Sequence, residues 1–176
     1  MSSNHIPGKK IGKNLFSFSV NGDSFGDLLS FAGCKDGAGL SGAVPKNMKP
    51  PPYEGFFYEF KMIPMPLSDT RDLLAMVSGG QWRGNATLRE LLAFLRWFPE
   101  LPKKRSIRLV ALGRDFICPL GGPVAVVKPG RNRFVLDVIE SQQMIDAMAK
   151  GRPLWTPDDR FLVRVNPSSV KVTSAA

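Results

Sequence analysis

Residues 106–139 read SIRLVALGRDFICPLGGPVAVVKPGRNRFVLDVI, and this run decides the fold class. Apolar stretches broken at short intervals by glycine and proline are the pattern of an antiparallel meander. Strands are expected at 106–112, 115–118, 123–127 and 132–139, with turns at Gly113-Arg114, Pro119–Pro123 and Lys128–Arg131. Pro129-Gly130 suits the two central positions of a type II turn, where glycine supplies the positive φ. The first and third turns of such a meander lie at one end, which would set Arg114 beside Lys128 and Arg131.

Working outward, residues 86–98 (ATLRELLAFLRWF) carry the strongest helical signal, opened by Asn85 or Thr87. Leu88, Leu91, Leu92, Leu95 and Phe98 recur as one apolar stripe, while Phe94 and Trp97 fall outside it. The helix is therefore either sandwiched or presents Trp97 to a partner. Residues 53–63 alternate as a strand, and Ser68 or Asp69 starts a helix ended by Gly79-Gly80. Before these, residues 15–20 alternate as a strand, and Ser24 with Asp27 opens a short helix over Phe25–Phe31 that Gly33 ends. Residues 33–52 hold four glycines and four prolines and read as a loop. A short helix at 141–150 and a strand at 160–165 complete the pattern. The expected fold is α+β: a twisted antiparallel sheet, two to four packed helices and a docking N-terminal arm. Residues 1–52 are read as that basic arm and linker, with a possible strand and helix, and 53–176 as the compact domain.

The 176 residues carry 24 Lys+Arg against 15 Asp+Glu, a net charge of +9, and are 43% hydrophobic. That is one domain's length with enough apolar content for a core. The charge is localised. Residues 1–14 hold Lys9, Lys10 and Lys13 without an acid, and residues 96–133 hold nine bases against Glu100 and Asp115. Such a field attracts phosphate on nucleic acid or on acidic lipid. Two cysteines and one histidine do not make a disulfide scaffold or a structural zinc site. No apolar run reaches the roughly 18 residues a spanning helix needs, and no secretory signal is expected.

Catalytic equipment is poor, and neither cofactor nor metal is expected. Gly37-Ala38-Gly39-Leu40-Ser41-Gly42 spells the dinucleotide fingerprint, but Pro45 and three further prolines leave no helix to meet a pyrophosphate. His5 lies far in sequence from any carboxylate, Asp158-Asp159 follow Pro157 as turn or cap residues, and Cys34 and Cys118 have no histidine near them in sequence. Asn85-Ala86-Thr87 spells a glycosylation sequon and serves better as a helix start. The most specific short motif is Pro50-Pro51-Pro52-Tyr53, the Pro-Pro-x-Tyr form that WW domains read from a preformed polyproline II segment.

The order of features from this motif onward resembles rhabdovirus matrix proteins. Pro50-Pro51-Pro52-Tyr53-Glu54 resembles their late-domain motif. An aromatic strand over 53–62, a capped helix over 68–77, a link through Trp82 and the helix containing Leu91-Leu92-Ala93-Phe94-Leu95 follow, so the likeness covers about residues 50–98. The resemblance implies a non-enzymatic viral structural protein with a basic arm and an α+β body. Such a protein self-associates, lies peripherally on the inner leaflet in virion and host cytoplasm, condenses ribonucleoprotein, and recruits a WW-domain protein for budding. On this reading Lys9, Lys10, Lys13, Lys103, Lys104, Arg105, Arg114, Lys128 and Arg131 bind phosphate, and Pro50, Pro51, Pro52 and Tyr53 form the partner motif. Trp97 contributes to a homo-oligomer. The alternative is a small, soluble, basic nucleic-acid-binding module of cytoplasm or nucleus, and a third reading is an interaction module for a protein partner.

Overall fold

The computed structural model describes residues 8–12, 15–20, 23–37, 39–40, 57–64, 82–111, 124–139, 141–152 and 155–165. In chain order these form β1 (Lys9–Gly12), β2 (Leu15–Ser19), α1 (Phe25–Phe31), β3 (Cys34–Asp36), β4 (Phe57–Pro64), β5 (Trp82–Asn85), α2 (Leu88–Trp97), α3 (Glu100–Arg105), β6 (Arg108–Ala111), β7 (Val124–Pro129), β8 (Phe134–Ile139), α4 (Ser141–Ala149) and β9 (Asp159–Val165). The fold is α+β. The described strands make one sheet in the order β1-β2-β4-β9-β6-β7-β8-β3, with β5 also on β9. One edge of β9 pairs with β4, and the other is divided: Asp159–Phe161 run parallel to β6, while Val163–Val165 run antiparallel to β5. Between them, the Ala86 N–H donates to Leu162 O at 3.0 Å.

The helices start where side chains can satisfy their first free N–H groups. Ser24 accepts from the Asp27 N–H at 3.2 Å. Thr87 and Glu90 form a reciprocal capping box: the Glu90 N–H donates to Thr87 Oγ1 at 3.3 Å, and the Thr87 N–H donates to Glu90 Oε2 at 2.7 Å. Leu88 through Leu95 of α2 are all buried, Arg89 and Glu90 included. The helix is therefore sandwiched, and Phe94, outside the expected stripe, is at its centre. Phe94 meets Phe16 edge-on at 5.1 Å between ring centres, and Phe98 meets Phe16 at 5.0 Å. Each fully buried side chain of this size contributes roughly 1.5–3 kcal/mol. Leu28 and Leu29 of α1, Leu109, Val127, Phe134, Leu136 and Leu162 of the sheet complete this core.

Side chains alternate between the faces of a strand, so Val110, Val126 and Phe161, which stand next to core positions, belong to the other face. All three are buried there with Trp155, whose ring meets Phe161 edge-on at 4.9 Å. On the same face Asp159, 0% exposed, accepts from Arg108 Nε, from Arg108 Nη2 at 2.6 Å and from the Thr156 N–H at 2.7 Å. Hydrogen bonding to Asp159 raises the Arg108 pKa above its ordinary value.

The loop at 33–52 and the turn at Pro129-Gly130 are corrected. Residues 33–52 contain a strand: Gly33, at φ +60°, turns the chain from α1 into β3, which runs parallel to β8. The sheet is thus mixed rather than wholly antiparallel. Within the expected arm, β1 pairs with β2, with Lys9 opposite Ser17 and Lys10 opposite Phe16. β2 pairs with β4 and β3 with β8, so strands from either side of position 52/53 share the sheet. The β7–β8 connection is a four-residue loop closed by the Gly130 N–H on Arg133 O at 2.8 Å. Gly130 lacks the positive φ of a type II turn. Its need is close approach, since a Cβ there would stand 2.5 Å from Arg133 O. Glu100–Arg105, for which the sequence pattern gives no element, is helical. The expected strand at 115–118 and helix at 68–77 lie outside the described residues.

Candidate polyanion-binding surface

The sheet register decides which bases meet. Leu109 pairs with Val127 and Ala111 with Ala125, so β6 begins at the end where β7 finishes. Helix α3, just before β6, packs on β7. The 130–133 loop therefore lies beside α3. Lys103 Nζ sits over the Phe134 ring, 5.2 Å from its centre, which fixes the contact between the two segments. Lys103, Lys104, Arg131 and Arg133 are exposed at this end of the sheet. Among the described residues, none of the four pairs with a carboxylate. Four exposed cations at one end of the sheet, none of them paired with a carboxylate among the described residues, form a positive surface.

This cluster differs from the expected one. Arg114, Lys13 and Pro50–Tyr53 lie outside the described residues. β6 finishes where β7 begins, at the opposite end from the 130–133 loop. Arg105 is in α3. Lys128 is at the same end, but its ammonium holds Asp137 at 2.7 Å, and this bond chiefly lowers the Asp137 pKa below its ordinary value. Its charge is partly offset. Arg133 lies in the basic segment 96–133 and is not among the expected phosphate-binding residues. The signal that finds it is the four-residue loop, which makes 131 and 133 both loop positions.

A second basic group lies at the far edge of the sheet, where Lys9 and Lys10 are exposed on β1 beside the exposed Ile11. Trp97 is half-buried and takes its contacts within the chain. Its Nε1–H donates to Ser19 O at 3.3 Å, and Gly8 lies against it so closely that a Cβ there would be 2.7 Å from Trp97 Cβ. Arg96 bridges Trp97 and the exposed Phe31, with its guanidinium carbon 5.4 and 4.6 Å from their ring centres.

Burial pushes the Cys34 thiol up to about 12, so it is a neutral thiol at physiological pH. No protein-family model, curated protein or solved structure matches this chain.

Proposed function

We propose that this is a matrix-like structural protein that bridges ribonucleoprotein and an anionic membrane surface, acts without catalysis, and gains avidity by self-association. The observation that carries the reading is the separation of two exposed basic groups along one rigid sheet. β1, with Lys9 and Lys10, and β7, which carries the other group at its end, are five strands apart in the sheet order. At the usual inter-strand spacing that is roughly 24 Å, too far for one compact ligand and suited to two polyanions at once. The β1 group has Ile11 among its lysines, which suits a lipid interface. The α3 and 130–133 group presents cations alone, which suits a phosphate backbone. Weak contacts repeated in an oligomer add through effective concentration. Pro50–Tyr53 completes the proposal as the segment for a WW-domain partner, with action in the virion and on the inner leaflet of host membranes.

The test is capture of labelled RNA by phosphatidylserine vesicles in the presence of the full chain. Lys9→Glu with Lys10→Glu should abolish vesicle pelleting and leave RNA binding in solution. Lys103→Glu with Lys104→Glu and Arg105→Glu should do the reverse, and either set should abolish capture. If one set removes both bindings, the bridge is wrong, and a monomeric nucleic-acid-binding module is the better description.

A further inference from the structure

Ser106 directly follows the basic residues of α3 and is the one non-glycine residue among those described with a positive φ, at 50°. It occupies the left-handed position that ends α3, with its N–H on Lys103 O at 3.3 Å and the next N–H, of Ile107, on Pro102 O at 3.2 Å. Glycine is the usual residue in this motif because a side chain there is strained. A serine in its place keeps an exposed hydroxyl at the surface, and strain retained at a position points to a use for the residue there. Lys103, Lys104 and Arg105 precede it directly. Basic residues two and three positions before a serine are what the acidic clefts of basophilic kinases select.

We propose that Ser106 is a phosphorylation site that switches off RNA binding at this surface. The inference rests on the functional reading above and adds its regulation. The co-reactants are ATP and a basophilic serine kinase. Ser106 Oγ attacks the γ-phosphorus, the new O–P bond forms, and the bond to the β–γ bridging oxygen breaks. ADP leaves with that electron pair, and the hydroxyl proton passes to the kinase's base. Access requires opening the last turn of α3. That helix has six residues, and its start has no side-chain cap, so it is a locally weak element. The product carries about −1.5 to −2 charge within one helical turn of Lys103. It offsets roughly half of the four cations and competes with RNA phosphate for the rest.

The experiment phosphorylates the purified full chain with a basophilic kinase and reads the site by intact mass and fragment mass. Binding of a labelled single-stranded RNA is then titrated across salt. Ser106→Gly is the control that lacks the hydroxyl and suits the left-handed backbone, so it tests the site without unfolding the turn. The proposal expects one phosphate on the wild type at Ser106 and none there on S106G. It also expects about tenfold or greater weakening of RNA binding near physiological salt, with a shallower salt dependence. S106E should weaken binding in the same direction. Pelleting with phosphatidylserine vesicles through Lys9 and Lys10 should persist. The inference is overturned if the folded chain resists the kinase while a peptide of residues 100–110 accepts phosphate. It is also overturned if the phosphorylated chain binds RNA as the unmodified chain does. Failure of the unmodified chain to bind RNA even at low salt would instead sink the functional reading, and the switch with it.

Discussion

Lys103 and Phe134 are 31 positions apart in sequence, yet the Lys103 ammonium lies 5.2 Å from the centre of the Phe134 ring. Phe134 is a core residue, 1% exposed, so the contact ties α3 to the first residue of β8. It sets Lys103 and Lys104 on the same rim as Arg131 and Arg133.

The first prediction follows from that rim. Replacing Arg131 and Arg133 by Gln should lower the magnitude of the log–log salt slope for single-stranded RNA by about 1.4, two phosphate contacts at about 0.7 each. Lys128→Gln should change it far less, because Asp137 already holds that ammonium. Anisotropy titrations between low and physiological salt read both slopes. A change of about 0.7 for Lys128→Gln would mean that the Lys128–Asp137 pair opens on binding.

The capping box of α2 makes a stability prediction. Thr87→Ala removes the acceptor for the Glu90 N–H and should cost about 1 kcal/mol, while Thr87→Ser should cost much less. Urea midpoints should shift with an unchanged slope in denaturant.

The Arg108–Asp159 pair should be asymmetric. Arg108→Met leaves a fully buried carboxylate with one remaining partner among those described, the Thr156 N–H, and should cost about 3 kcal/mol. Asp159→Asn keeps a hydrogen-bonding group and leaves a guanidinium that can reach water, so it should cost less. Equal losses in chemical denaturation would contradict this account.

Cys34 sets a pH dependence at the alkaline side. Its folded-state pKa, raised to about 12 mainly by burial, exceeds that of an exposed thiol, about 8.5. The folded state thus binds more protons above the lower value. The contribution is fully present below about pH 8.5 and is lost as pH rises toward the folded pKa. Cys34→Ala should flatten the decline in Tm between about pH 8.5 and 10.5. At neutral pH, alkylation of Cys34 should proceed only at the rate of opening.

Gly8→Ala would drive a Cβ to within 2.7 Å of Trp97 Cβ and 2.9 Å of Cγ, atoms near the backbone that cannot swing away. β1 should detach, with faster amide exchange at Lys9, Lys10 and Ile11 and a red shift in tryptophan emission. Unchanged exchange would mean that α2 shifts instead.

The helix starts were legible because their signals are local. Ser24 with Asp27 and Thr87 with Glu90 place oxygen atoms three residues from the N–H groups they serve. β3 was not legible. Cys34-Lys35-Asp36 is too short to alternate, and it forms only because Gly33 aims it along β8, about 100 residues away in the sequence. α3 was hidden by Pro99 and Pro102, which usually stop helices. Here they occupy the cap and the first turn, where no N–H is required. The basic surface was legible as two charged segments. Its membership depends on which end of β7 meets α3, and that is a property of register alone.

The position of β9 bears on how the molecule is made. The series β1-β2-β4 and the series β6-β7-β8-β3 are joined in the sheet through this strand. Without β9 the two series would flank an empty slot about 10 Å wide, with unpaired edges on both sides that invite wrong partners. The supply of chaperones while residues 159–165 are still unpaired should therefore govern how much of this protein reaches its native form.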